Sequence, residues 1–214
     1  MTTPTEAAER DALARNDRYI REFVEALHLC PYAKRCRETG RLHRRVVPGF
    51  DLDAAMTAVR AVEALPEGSV EVALLIFPGA PATGIDSARD FEAFVVDLRN
   101  RMIEAHDGNP PFYCVAFHPD LPRDLLDAHR AVQLIRRSPD PTVQLVRASV
   151  LRAVRGNEEA GTLIVDVSRL SLEELMTISS PLSLADRIAE ANLAMLQREG
   201  PDRVEALLAS LRPR

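Results

Sequence analysis

Residues 70–77 read Val-Glu-Val-Ala-Leu-Leu-Ile-Phe, a nearly continuous apolar run of strand length. Apolar side chains on both faces of so short a run predict a strand covered on both sides, as central strands of layered α/β proteins are. Its flanks agree. Upstream, Asp51 is a good N-cap for a helix with Leu52, Met56, Val59 and Val62 on one stripe, closed by Pro66 and Gly68. Downstream, Ser87 as N-cap with Asp90 three residues later opens a helix presenting Phe91, Phe94, Val95, Leu98 and Met102, stopped by Gly108 and Pro110. Strand-like segments at Leu42 to Val47 and Phe112 to Phe117 bracket these helices. Residues 42–117 therefore read β-α-β-α-β, the pattern of parallel strands joined by right-handed crossovers.

The expected fold class is thus α/β: a small parallel or mixed sheet with a β-α-β-α-β core, flanked by helices, with a helical C-terminal extension. A first helix is expected from about Thr5 to Leu29, where Leu13, Ile20, Phe23, Val24 and Leu27 recur at helical spacing and Pro31 ends the run. Pro122 to Arg136 has weaker helical periodicity. Another helix is expected after Pro141, with Thr142 in its first turn, Leu145, Val146, Ser149, Val150 and Ala153 at helical intervals, and Gly156 as its stop. Thr162 to Val167 reads as a short strand, and Ser171 to Met176, Ser183 to Arg198 and Pro201 to Leu211 as helices. We divide the 214 residues into a core domain, 1–156, and a mainly helical extension packing on it, 157–214.

A net charge of −5 lacks the dominant basic field that nonspecific nucleic-acid binding needs, and the chain has no Trp to serve as a stacking platform. One stretch runs the other way: Lys34, Arg35, Arg37, Arg41, Arg44 and Arg45 stand against Glu38 alone. Three cysteines without a CxxC pair do not make a disulfide framework and fit a reducing compartment. The charged start, Met1 to Arg10, has no signal-like apolar core, and no stretch reaches the roughly 18 apolar residues of a membrane span. The expectation is a cytoplasmic protein whose partner is a small anionic molecule, neither nucleic acid nor membrane.

Three proline-stiffened islands, Leu27 to Lys34, Ala116 to Asp120 and Arg136 to Pro141, hold most of the chemically versatile side chains. Cys30-Pro31-Tyr32-Ala33-Lys34, then Phe117-His118-Pro119, then Arg137-Ser138-Pro139-Asp140-Pro141-Thr142 followed by Leu145 and Arg147 resemble, in order and spacing, domain of unknown function 1415, a family of uncharacterised bacterial proteins. The resemblance runs from about Phe23 to Val154, with a looser echo around Asn192 to Leu196, and supplies no activity.

From the residues themselves, the expectation is a small-molecule enzyme with one Cys/His/Arg pocket at the carboxyl ends of the strands. There His118 transfers a proton and Cys30 acts as nucleophile or polar contact, a thiolate there being favoured by Lys34, Arg35 and His28 if the chain folds back. Lys34, Arg137, Ser138 and Arg147 hold a carboxylate or phosphate, with Arg136 beside them and Asp140 as a competing helix cap. A haem protein with Cys30 or His118 as axial ligand is the alternative, and a non-catalytic binding module a third. Zinc on His28, Cys30, Cys114 and His118 is disfavoured by spacings of about eighty residues and by the strand position of Cys114.

Overall fold

The computed structural model describes residues 4–78, 88–152 and 184–213. Helix α1 (Pro4–Arg18) runs on without a break into a π-helical stretch, Tyr19–Glu25. The chain then turns through His28, a non-glycine residue in the left-handed region (φ 54°), and Pro31 starts a new direction. Next come α2 (Ala33–Glu38), β1 (Leu42–Val46), α3 (Leu52–Glu63), β2 (Val72–Ile76), α4 (Ala88–Ala105), β3 (Phe112–Phe117), α5 (Ala128–Ile135) and β4 (Thr142–Arg147). Helices α6 (Leu184–Glu199) and α7 (Pro201–Leu211) end the described chain. Asp51 caps α3 as expected, accepting from the Ala54 N–H at 2.6 Å. The expected cap Ser87, the stop Gly156, the boundary at 156, the strand at 162–167 and the helix at 171–176 lie outside the described residues.

The four strands form a mixed sheet in the order β1-β2-β4-β3. β1 and β2 are parallel, and β4 runs antiparallel to both β2 and β3, so β1, β2 and β3 share one direction with β4 wedged between the last two. Here one expectation is corrected. Thr142 opens a strand rather than a helix, and helix begins only at residue 148. The apolar spacing of this segment suits either period, and tertiary pairing decides: Val143 and Leu145 point into one core while Gln144 and Val146 turn to the other face.

β2 is covered on both faces, as its apolar run predicts. Ala73 and Leu75, with Val143, Leu145 and Phe112, meet α3 and α4, where Phe50, Phe77, Phe91 and Phe94 form an aromatic cluster with ring centroids about 5.5–6.2 Å apart. Leu74 and Ile76 face Tyr19, Ile20 and Phe23 of the N-terminal helix, Leu134 of α5, Met195 and Leu196 of α6, and Leu208 of α7. Full burial of a side chain such as Leu75 or Ile76 contributes about 1.5–3 kcal/mol, so a charge at Leu75 would unseat the layer of α3 and α4 and one at Ile76 the layer of the terminal helices.

The register sets two ends that matter for the site. Leu42, Val72, Val146 and Tyr113 align at one end, the amino edge of the parallel strands. Val46, Ile76, Thr142 and Phe117 align at the other, the carboxyl edge.

Candidate functional site

The Cys30 island stands at the amino edge. The Cys30 carbonyl accepts the Ala33 N–H at 3.3 Å as α2 begins, and the Cys36 carbonyl accepts the Arg41 N–H at 2.9 Å just before β1. Arg35 and Arg41 then meet the Glu71 carboxylate at 2.9 and 2.5 Å, beside the first residue of β2. Between the π-helical stretch and α2 lies a cavity of about 370 Å³ lined by Arg21, Glu25, Ala26, His28, Cys30, Pro31 and Lys34.

Most of the basic cluster noted in the sequence is spent on structure. Arg37 forks onto Glu25 at 2.6 and 2.8 Å and holds that carboxyl below its ordinary range, Arg44 meets Asp17 at 3.2 Å, and Arg21 meets Asp17 at 2.7 Å. Lys34 is different: it is exposed and makes no ion pair among the described residues. Cys36 is buried on the inner side of α2, and burial pushes its thiol up to about 11; burial does the same to Cys114 in β3.

His118 stands at the carboxyl edge, directly after β3. Its backbone N–H bonds the Arg136 carbonyl at 3.1 Å, and its ring packs on Phe91 with centroids 5.6 Å apart. Only 3% of it is exposed, and burial pushes its pKa down, with nearby Asp120 opposing and Arg212 reinforcing the shift. The Asp120 N–H donates to Nδ1 at 3.1 Å. A neutral imidazole that accepts at Nδ1 carries its proton on Nε2, so this ring is a donor and has no lone pair free for a base or a metal ligand.

The remaining expected ligands are also engaged. Arg137 donates to the Leu121 carbonyl at 2.5 Å and to Glu205 at 2.6 Å, fastening α7 to the turn after β3. Ser138 is buried and donates to the Asp140 carbonyl at 2.5 Å, while Asp140, rather than capping a helix, takes a bidentate fork from Arg15 at 3.0 and 2.9 Å. Arg147 lies at the amino edge, bonded to the Val70 carbonyl at 2.8 Å and placed over the Phe112 ring at 5.0 Å.

The expected single pocket is therefore corrected. Cys30 and Lys34 share one cavity; His118, Arg137 and Ser138 lie at the other end of the sheet, beyond the four residue steps of β2, about 13 Å at the strand rise. The cavity brings in Arg21 and His28 instead. His28 stood in plain view two residues before Cys30, whereas Arg21 could be placed only through the i, i+4, i+7 face it shares with Glu25 and His28. No group of three or more His, Cys, Asp or Glu suited to a metal ion occurs among the described residues. Nor does His118 suit an axial haem ligand, since its Nδ1 lone pair is taken by the Asp120 N–H.

No helix among the described residues is long and apolar enough to cross a membrane. The family model described as Protein of unknown function (DUF1415) matches residues 11–176, which takes in all three islands. No curated protein and no solved structure matches the chain.

Proposed function

The chain belongs to the family of unknown function DUF1415, whose description brings no reaction with it, and from its own geometry we propose a small-molecule enzyme working in the amino-edge cavity. In this reading Lys34 draws in a carboxylate or phosphate, Cys30 is the nucleophile or polar contact, and His28 handles the proton. What supports it is one observation: a thiol, an imidazole and an exposed ammonium with no ion pair of its own among the described residues line one open cavity. Its volume of about 370 Å³ suits a small metabolite.

The test compares alkylation by iodoacetate, which carries a carboxylate, with alkylation by neutral iodoacetamide, each followed by peptide mass spectrometry. Cys36 and Cys114, with thiols pushed up to about 11, stay protonated near pH 8, so the fast site is Cys30. The iodoacetate-to-iodoacetamide rate ratio should exceed that of a free thiol in the same buffer and fall back toward it in Lys34→Ala. A ratio equal to the free thiol, untouched by Lys34→Ala, would remove the anionic-substrate reading.

A further inference from the structure

The thiol cavity has charged walls, and the ion pairs around it decide which charge meets a ligand. Arg21 and Glu25 stand on the wall of the π-helical stretch, Lys34 on the wall of α2. Two of these three charges are matched by residues that do not line the cavity. Arg21 meets Asp17, four residues back along the helix, at 2.7 Å. Glu25 takes both arms of Arg37, Nε on Oε1 at 2.6 Å and Nη2 on Oε2 at 2.8 Å, in a pair whose base is 18% and whose acid is 11% exposed.

Arg37 follows Lys34 by three residues on α2, so the two cations are neighbours on one face of that helix. Lys34 lines the same cavity as Glu25, and its charge reaches that carboxyl. Two cations thus compete for one acid. Arg37 holds it because a planar guanidinium grips both oxygens at once, whereas an ammonium acts as a single point charge. Its other contact, with the exposed Glu38 at 3.5 Å, is longer and leaves the fork in place. Without the fork, Glu25 would be a nearly buried carboxylate with no partner, a state that burial makes costly. The unengaged ammonium in the same cavity would then answer it, and Lys34 would be neutralised as Arg21 already is.

We propose that Arg37 sets the specificity of the cavity: by saturating Glu25 it keeps the Lys34 ammonium free for the anionic group of the substrate. This role presupposes the anionic substrate proposed for the cavity. Arg37 is a positioning residue, acting through Glu25 and Lys34 without lining the cavity itself.

The experiment measures the iodoacetate-to-iodoacetamide rate ratio at Cys30 on the full chain, by peptide mass spectrometry at constant pH and ionic strength. Wild type is compared with Lys34→Ala, Arg37→Gln and the double variant Glu25→Gln with Arg37→Gln. Arg37→Gln should lose the excess over a free thiol and fall to the Lys34→Ala ratio. The double variant has no acid left to capture Lys34, so its ratio should return to that of wild type. A fork that is merely structural would instead change both alkylation rates alike and leave their ratio unmoved. Should Arg37→Gln fail to fold, Arg37→Lys keeps a cation that cannot grip both oxygens, and its ratio should fall between wild type and Lys34→Ala. The proposal is overturned, with the anionic reading intact, if wild type shows a raised, Lys34-dependent ratio that folded Arg37→Gln, or Arg37→Lys in its place, leaves unchanged. It is overturned likewise if the double variant stays at the Lys34→Ala ratio. A wild-type ratio equal to that of the free thiol overturns both together.

Discussion

Asp140→Asn isolates one charge at the junction on which the N-terminal helix rests. The side chain keeps its size, and the backbone carbonyl still accepts from Ser138 and Thr142, so the turn itself is preserved. What disappears is the partner of Arg15, in a pair whose acid is 3% and whose base is 21% exposed. Breaking a buried pair costs about 3–5 kcal/mol because the remaining charge stays desolvated. Arg15 can recover part of its hydration through its exposed fifth, so the expected loss is about 2–4 kcal/mol. For a chain of this length each kcal/mol lowers the melting temperature by about 2–4 °C, giving a fall of about 4–16 °C. Urea unfolding should show a lower midpoint with an unchanged slope. Arg15→Gln combined with Asp140→Asn should cost little more than the single change, a coupling of about 1–3 kcal/mol. A loss below about 1 kcal/mol for Asp140→Asn, or additive losses in the double variant, would refute the claim that this pair anchors α1.

Two histidines should bend the pH dependence of stability in opposite directions. His106 places Nδ1 2.8 Å from the Met102 carbonyl and Nε2 2.9 Å from Glu63, two acceptors that require both ring nitrogens to be protonated, and these bonds hold its pKa above the ordinary value. Its stabilisation is therefore complete below the unfolded pKa of about 6.5 and lost as pH rises through the folded value; the gap in unfolding free energy between wild type and His106→Gln should shrink toward alkaline pH, and a constant gap would contradict the assignment. His118, whose pKa is depressed by burial, should instead destabilise as pH falls below about 6.5, and His118→Ala should cost about 2–3 kcal/mol through the lost Phe91 contact and the orphaned Asp120 N–H. An unchanged melting temperature in His118→Ala would return this residue to the list of candidate catalysts.

Elements were legible where local pattern and tertiary demand coincide. The β2 run, the capped helix after Asp51 and the Phe91-Phe94-Leu98 face of α4 each carry a period that only one structure satisfies. The spacing of Thr142 to Arg147 suits both a helix and a strand, and the choice is made by β2 and β3, which offer unpaired backbone on either side of it. That one element also governs where the islands go. A segment that precedes a strand sits at the end where the strand begins. Cys30 to Lys34, leading through α2 into β1, must therefore lie at the amino edge, and His118, leaving β3, at the carboxyl edge.

The arginine island obeys the same rule only once the direction of β4 is known. Entering an antiparallel strand, Arg136 to Pro141 falls beside His118, and Arg147, leaving that strand, is carried to the opposite end. Within the island, two adjacent arginines that sequence treats as equals take different parts: the Arg137 side chain holds Glu205 and the Leu121 carbonyl, while the Arg136 backbone carbonyl accepts the His118 N–H. Proline-rich islands in this chain thus mark the ends of strands, and the sorting of those ends by strand direction divides the chemistry into a thiol cavity at one edge and a buried imidazole beside the arginine island at the other.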